Sequence, residues 1–220
     1  MSIELKKRIL TSVILLFLLI LMYFFTFILI LSIIVIAIVT WIEFYAMISK
    51  IFIKENFNNK LLRFTFKSAS LLYLSILVFI ILIIESKMPE SKIFIYYSLL
   101  VSIASDIGGL TIGKIIKGKK LTKISPQKTI SGSIGSFAFS FLLIPFFIGH
   151  LLNQSFFILF LITFLISFTP QIGDLFISYL KRKANVKNTS DLLPGHGGFL
   201  DRIDGIIFSI PIGLLLFKIL

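Results

Sequence analysis

The sequence predicts an all-α, polytopic integral membrane protein with about seven transmembrane helices and a cytoplasmic N-terminus. Three observations predict it. Apolar residues make up 57% of the 220-residue chain and charged ones 15%, with a mean hydropathy of +1.05, well outside the range of ordinary soluble domains. The apolar residues fall into charge-free runs at 9–42, 68–84 and 129–173, of 34, 17 and 45 residues. The basic residues are divided unequally among the connections between them.

A crossing needs only about 20 apolar residues, and 34 of them at roughly 1.5 Å each would reach about 50 Å. The first run therefore holds two spans, 10–25 and 28–47, separated near Tyr23 to Thr26 on grounds of length alone, since no Gly or Pro marks the break. The N-terminal apolar stretch exceeds a signal-peptide core and no small-residue cleavage site follows it, so it is expected to be retained. The second run gives a span at 66–84. A fourth, 93–113, carries Ser105, Gly109 and Gly113, a small-residue face suited to close helix packing. The third run is again too long for one crossing and holds spans at 133–152 and 155–178. The last span is 203–220.

Charge tests this order independently, because cytoplasmic connections collect Lys and Arg. Three basic residues precede the first span, five lie between the second span and the charge-free part of the third, six between the fourth and fifth, and five between the sixth and seventh, nineteen of the 22 in all. Only Lys87, Lys92 and Lys218 fall on the other side. This puts loops 49–65, 114–132 and 179–202 in the cytoplasm and leaves short external connections at 85–92 and 149–154. The chain divides into N-terminal helices, 1–100, and a chemistry-bearing region, 101–220.

The chain has no cysteine, which excludes disulfides, thiolate metal sites and cysteine nucleophiles. Its net charge of +12 is expected to record orientation and contact with anionic lipid, with no nucleic-acid partner. All five Asp residues (Asp106, Asp174, Asp191, Asp201 and Asp204) lie in the second half, near the predicted cytoplasmic span ends. Carboxylates inside spans are costly, and a functional site is the default reading, against helix-end residues at headgroup level. Asp201 and Asp204 are three apart, so in a helix they share a face near the positive end of its dipole, where they suit a hard cation such as Mg2+ or serve as caps. Between Asp174 and Asp201 lie Lys181, Arg182, Lys183 and Lys187, and then Pro194, Gly195, His196, Gly197 and Gly198. Cations, carboxylates and flexible backbone thus converge within about 30 residues, an arrangement able to cradle phosphate. A second basic loop ends in Ser125, Pro126, Gln127, Lys128 and Thr129, with Lys128 the favoured phosphate-binding candidate.

From Ser178 to Asp204 the sequence resembles the signature of the phosphatidate cytidylyltransferase (CDP-diacylglycerol synthase) family. The matching residues are Ser178, Leu180, Lys181, Arg182, Lys187, Ser190, Leu193, Pro194, His196, Gly197, Gly198, Phe199, Asp201, Arg202, Ile203 and Asp204. Gly173-Asp174 looks like the family's metal-binding Gly-Asp, and residues 125–129 resemble its Ser-Pro-Lys-Lys-Thr. Asn188 stands where the family has Asp, Gln127 replaces the first Lys, and Ile130-Ser131 replaces Trp-Glu; Asn188 brings no charge for a direct metal role. The resemblance covers about residues 100–210. It implies transfer of CMP from CTP to phosphatidic acid at the inner face of a bacterial-type cell membrane. Asp174, Asp201 and Asp204 would hold one or two Mg2+ ions. Lys128, Lys181, Arg182, Lys187 and Arg202, with Ser125 and the His196-Gly197-Gly198 turn, would bind phosphates. It also allows a monovalent cation and a homodimer. His196 would position substrate, since an already anionic nucleophile needs no general base. The competing readings are a transporter with Asp residues at its cytoplasmic side, a CDP-alcohol phosphotransferase, whose Asp-Gly-x-x-Ala-Arg motif is missing, and a CTP-dependent lipid kinase.

Overall fold

The computed structural model describes residues 3–149, 151, 155–195 and 197–219. Among the described residues it is helical without a β-sheet, and every predicted span lies wholly or partly on helix. The elements are α1 (Ile3–Phe24), α2 (Thr26–Ile51), α3 (Phe57–Lys87), a 3-10 turn (Pro89–Ser91), α4 (Lys92–Ile116), α5 (Ile130–Phe141), α6 (Ile144–Phe147), α7 (Phe156–Lys183), α8 (Leu200–Ile203) and α9 (Ile206–Ile219). Five helical segments, Thr26–Ile51, Phe57–Lys87, Pro89–Ile116, Ile130–Phe147 and Phe156–Lys183, are long and apolar enough to cross a membrane. The apolar part of α1, Ile9–Phe24, matches the short predicted span 10–25, and α9, with 14 residues, is shorter than the predicted 203–220. The chain is an integral membrane protein. Phe17, Phe27, Leu31, Val35 and Ile38 are exposed on α1 and α2, a cost in water that disappears when the solvent is lipid.

The break between the first two helices is one residue, Phe25, in an extended conformation (φ −122°, ψ 104°). It falls inside the interval set by length alone. The predicted loop 49–65 is mostly helix, leaving only 52–56 as connection. Its Lys60 and Arg63 read as loop charges, yet Lys and Arg are good helix formers, and with Lys67 they extend α3 by three turns beyond its apolar run. The last span is also broken. Asp201 lies in α8 and Asp204 in the turn that follows it, so the pair does not sit on one regular helix.

Two compact units can be described separately. One contains residues up to Lys87 with Leu180–Arg202, and the other Met88–Tyr179 with Ile203–Leu220. In the first, α2 and α3 pack antiparallel. Thr26 Oγ1 donates to Glu85 Oε1 at 2.6 Å, Trp41 Nε1 to the Lys67 carbonyl at 3.3 Å, and Phe52 stacks on Phe66. In the second, Tyr97, Val101, Leu159, Ile162, Ile166 and Phe217 form a buried core, and Tyr97 bonds Thr163 Oγ1 at 2.5 Å. The small-residue face of α4 meets another on α5. A Cβ on Gly132 would lie 2.8 Å from the Gly109 carbonyl, and one on Gly135 would strike Ile112 and the Gly108 carbonyl. The Ser136 hydroxyl donates to the Ser105 carbonyl at 2.7 Å, and the Ser140 hydroxyl to Ser167 Oγ at 2.9 Å. Buried hydroxyls and absent side chains thus let these backbones approach as they do in membrane helix pairs.

Candidate active site

In the second unit the basic loop folds back on itself. Leu121 N–H donates to the Lys128 carbonyl at 2.8 Å and Ile130 N–H to the Lys119 carbonyl at 3.0 Å. Within it, residues 125–128 make a tight turn closed by Lys128 N–H to the Ser125 carbonyl at 3.1 Å, with Pro126 at the position where its fixed φ suits a turn. Thr129 then caps α5 by accepting from Gly132 N–H at 3.0 Å. This turn and cap deliver the Lys128 ammonium to Asp174 Oδ2 at 2.5 Å, with the two side chains 24% and 33% exposed. One turn along α7, Ser178 donates to Asp174 Oδ1 at 3.1 Å. Gly173 explains how Asp204 comes alongside: a Cβ there would lie 2.7 Å from the Asp204 carbonyl and 2.6 Å from the Phe208 ring. Asp204 is 7% exposed and accepts from Gly205 N–H at 2.9 Å.

In the first unit, the segment between α7 and α8 is folded around two carboxylates. Leu193 and Gly197 exchange both backbone hydrogen bonds, at 2.8 and 3.1 Å, closing a turn whose Gly195 and Gly197 take positive φ of 77° and 83°. Asp201 accepts from Lys181 Nζ at 2.7 Å, Thr189 N–H at 2.9 Å, Gly198 N–H at 3.1 Å and the Thr189 hydroxyl at 3.2 Å. Its side chain is 8% exposed. Arg182, Lys187 and Arg202 are exposed around this segment, and Ser125 of the other unit is half-buried in its turn. Gly197 lies against Asn188, and His196 is outside the described residues. Asp106 and Asp191 are exposed, on α4 and in the loop.

The second carboxylate is Glu43 of α2, which sequence reasoning did not single out. It is 4% exposed and has four donors. Oε1 accepts from the Ser190 hydroxyl at 2.5 Å and Phe199 N–H at 2.9 Å. Oε2 accepts from the Thr189 hydroxyl and Leu200 N–H, both at 2.8 Å. Glu43 therefore grips both ends of the glycine-rich segment, before and after the turn. Gly198 is required there, because a Cβ would meet the Thr189 hydroxyl and come within 2.6 Å of Glu43 Oε2. One signal could have revealed it: Glu43 is the first charge after 34 uncharged residues, inside a predicted span, and an acid at that depth needs partners.

Among the described residues, no group of three or more His, Asp or Glu side chains stands as a ready-made metal cage. Mg2+ seldom uses one; it takes one or two carboxylates and completes its shell with phosphate and water. Asp174 fits that demand as a partly exposed oxygen donor that already faces a cation. Asp201 also faces a cation, Lys181, with its remaining acceptor capacity engaged by the loop.

The family model described as the cytidylyltransferase family matches residues 4–220 of the chain. A phosphatidate cytidylyltransferase of Rickettsia bellii (strain RML369-C) is 40% identical over 160 residues, 66% of this chain and 68% of the relative. The phosphatidate cytidylyltransferase of Helicobacter pylori (strain ATCC 700392 / 26695) is 38% identical over 115 residues, covering 52% of this chain and 43% of the relative. That of Bacillus subtilis (strain 168) is 38% identical over 120 residues, covering 54% and 45%. The chain thus aligns with less than half the length of the latter two.

Proposed function

Because the chain belongs to the cytidylyltransferase family, we propose that it transfers CMP from CTP to phosphatidic acid, giving CDP-diacylglycerol and pyrophosphate in phospholipid biosynthesis. A phosphate oxygen of phosphatidic acid forms the new bond to the α-phosphorus of CTP, and the bond from that phosphorus to the bridging oxygen breaks as pyrophosphate leaves. The nucleophile is already anionic, so no side chain has to remove a proton. What the chain must supply is position and positive charge.

The Lys128–Asp174 pair is the observation that carries this reading. A flexible ammonium and a partly exposed carboxylate meet at 2.5 Å, the two charges a metal-bound nucleotide requires. Asp174 and Asp204 are the residues that would hold Mg2+, which when bound would neutralise phosphate charge, and Asp201 would join them only by giving up one of its loop donors. Lys128, Lys181, Arg182, Lys187 and Arg202 bind the triphosphate and the lipid phosphate, aided by Ser125, His196 and the amides of Gly197 and Gly198. Glu43 acts as a positioning residue by fixing the segment that presents those amides. The site faces the cytoplasm of a bacterial-type cell, where a soluble nucleotide and a bilayer lipid are both within reach; the excess of basic residues in the connections supports that orientation.

The test is incubation of purified membranes with phosphatidic acid, Mg2+ and CTP labelled either in the base or at the γ-phosphate. Base label is expected in the lipid phase and γ-label in released pyrophosphate. Transfer of γ-label into lipid would replace this reading with a CTP-dependent lipid kinase, and absence of label from lipid with both forms would remove it.

A further inference from the structure

We propose that α2 and α3 form a second anion site, for the phosphate of a membrane-lipid headgroup, from residues that none of the reaction roles above uses. A cavity of about 460 Å³ opens between these helices, lined by Trp41 and Tyr45 of α2 and by Lys60, Arg63 and Lys67 of α3. Its volume lies within the range of small-ligand sites. The walls are held in place: Trp41 Nε1 donates to the Lys67 carbonyl, and the Lys67 ammonium sits 3.3 Å from the centre of the Tyr45 ring.

Arg63 is the residue that calls for a ligand. Its Nε is shut off from solvent without a hydrogen-bond partner, so the residue, which lines the cavity, can meet a ligand there through the terminal NH2 groups of its guanidinium. A guanidinium offers its terminal donors in a planar fork that matches phosphate. The acid on the cavity wall is Glu55, 4.0 Å from Lys60 with both side chains mostly exposed, so it offsets Lys60 and leaves Arg63 and Lys67 uncompensated.

Depth selects the source of the phosphate. α3 has 31 residues, about 46 Å of helix against a hydrocarbon core of about 30 Å. Its charge-free part begins at Ser68, so Lys60, Arg63 and Lys67 stand at headgroup level, beside a Trp and a Tyr of the kind that line membrane interfaces. A lipid places its phosphate at that level and its acyl chains beside the exposed apolar face below. General attraction between basic helix ends and anionic lipid would need the charges alone and would not distinguish Arg63 from Lys54.

Trp41 is the single tryptophan of the chain, so its fluorescence reports on the cavity wall without labelling. The full chain is placed in phosphatidylcholine nanodiscs containing increasing phosphatidic acid brominated near the headgroup end of its acyl chains, with no CTP present. Quenching is expected to saturate, while brominated phosphatidylcholine at the same fractions gives no saturating phase. R63Q is expected to raise the half-saturating fraction about fivefold or more, the effect of one lost cation near a membrane surface. R63K keeps the charge but loses the fork and is expected to shift similarly, whereas K54Q, which removes a charge from an exposed neighbouring position, leaves it unchanged. If R63Q does not purify, K67Q carries the same expectation. Wild-type behaviour of R63K, an equal shift in K54Q, or equal quenching by brominated phosphatidylcholine would overturn the site. A saturable fluorescence change with inorganic phosphate in undoped nanodiscs would reassign it to a free anion. Because no CTP is present, these outcomes are independent of the proposed reaction.

Discussion

At the scale of single residues, carboxylates carry the proposed chemistry and its support. D174N removes the charge that faces Lys128 while keeping the side chain's size. It is expected to lower CTP-dependent label in lipid by about two orders of magnitude, as when one preorganised electrostatic group is lost, at unchanged protein level in purified membranes. Glu43 has a different signature. In E43Q one carboxylate oxygen becomes an NH2 facing donors, so the segment is held less well; kcat is expected to fall about tenfold while the protein still accumulates. E43A strands four donors and is expected to abolish accumulation. The Lys128 and Asp174 positions were legible in the sequence because short motifs of fixed spacing carried them. Glu43 was not, because its partners lie 146 to 157 residues downstream and hydropathy registers only where an uncharged run stops. N188D is expected to retain activity, since Asn188 lies against Gly197 at the edge of the turn; steady-state turnover checks it.

At the scale of elements, apolar run length located the helices, and charge misled at their ends. The three turns of α3 before Ser68 read as loop because they are basic, and only the folded chain shows that they continue the helix and wall a cavity. Likewise the three-residue spacing of Asp201 and Asp204 suggested one helical face, whereas Gly205 packs against Pro170 and the helix breaks between α8 and α9. The α4 and α5 pairing was foreshadowed by Ser105, Gly109 and Gly113, but its partners Gly132 and Gly135 emerged only in three dimensions. G135V drives branched methyls into Ile112 and the Gly108 carbonyl. It is expected to destabilise the pair by about 1–3 kcal/mol, read as a lower thermal midpoint in detergent.

At the scale of the whole molecule, sidedness can be tested directly because the natural chain contains no cysteine. Single replacements K54C, K123C and K187C are expected to react with an impermeant maleimide from the side where CTP is added, and K92C from the opposite side. Labelling of all four from one side would contradict the charge-derived topology. The grip of Glu43 on a segment so far downstream also bears on how the chain is made. Ribosomes add about 5–20 residues per second, so the carboxylate waits roughly 7 to 30 s in a newly inserted span before Thr189 to Leu200 exist. During that interval the nascent protein carries an acid without its four donors, an incompletely folded state of the kind cellular proteases clear. Fragments ending before residue 189 should therefore be cleared quickly, and the same fragments carrying E43L should persist in pulse-chase.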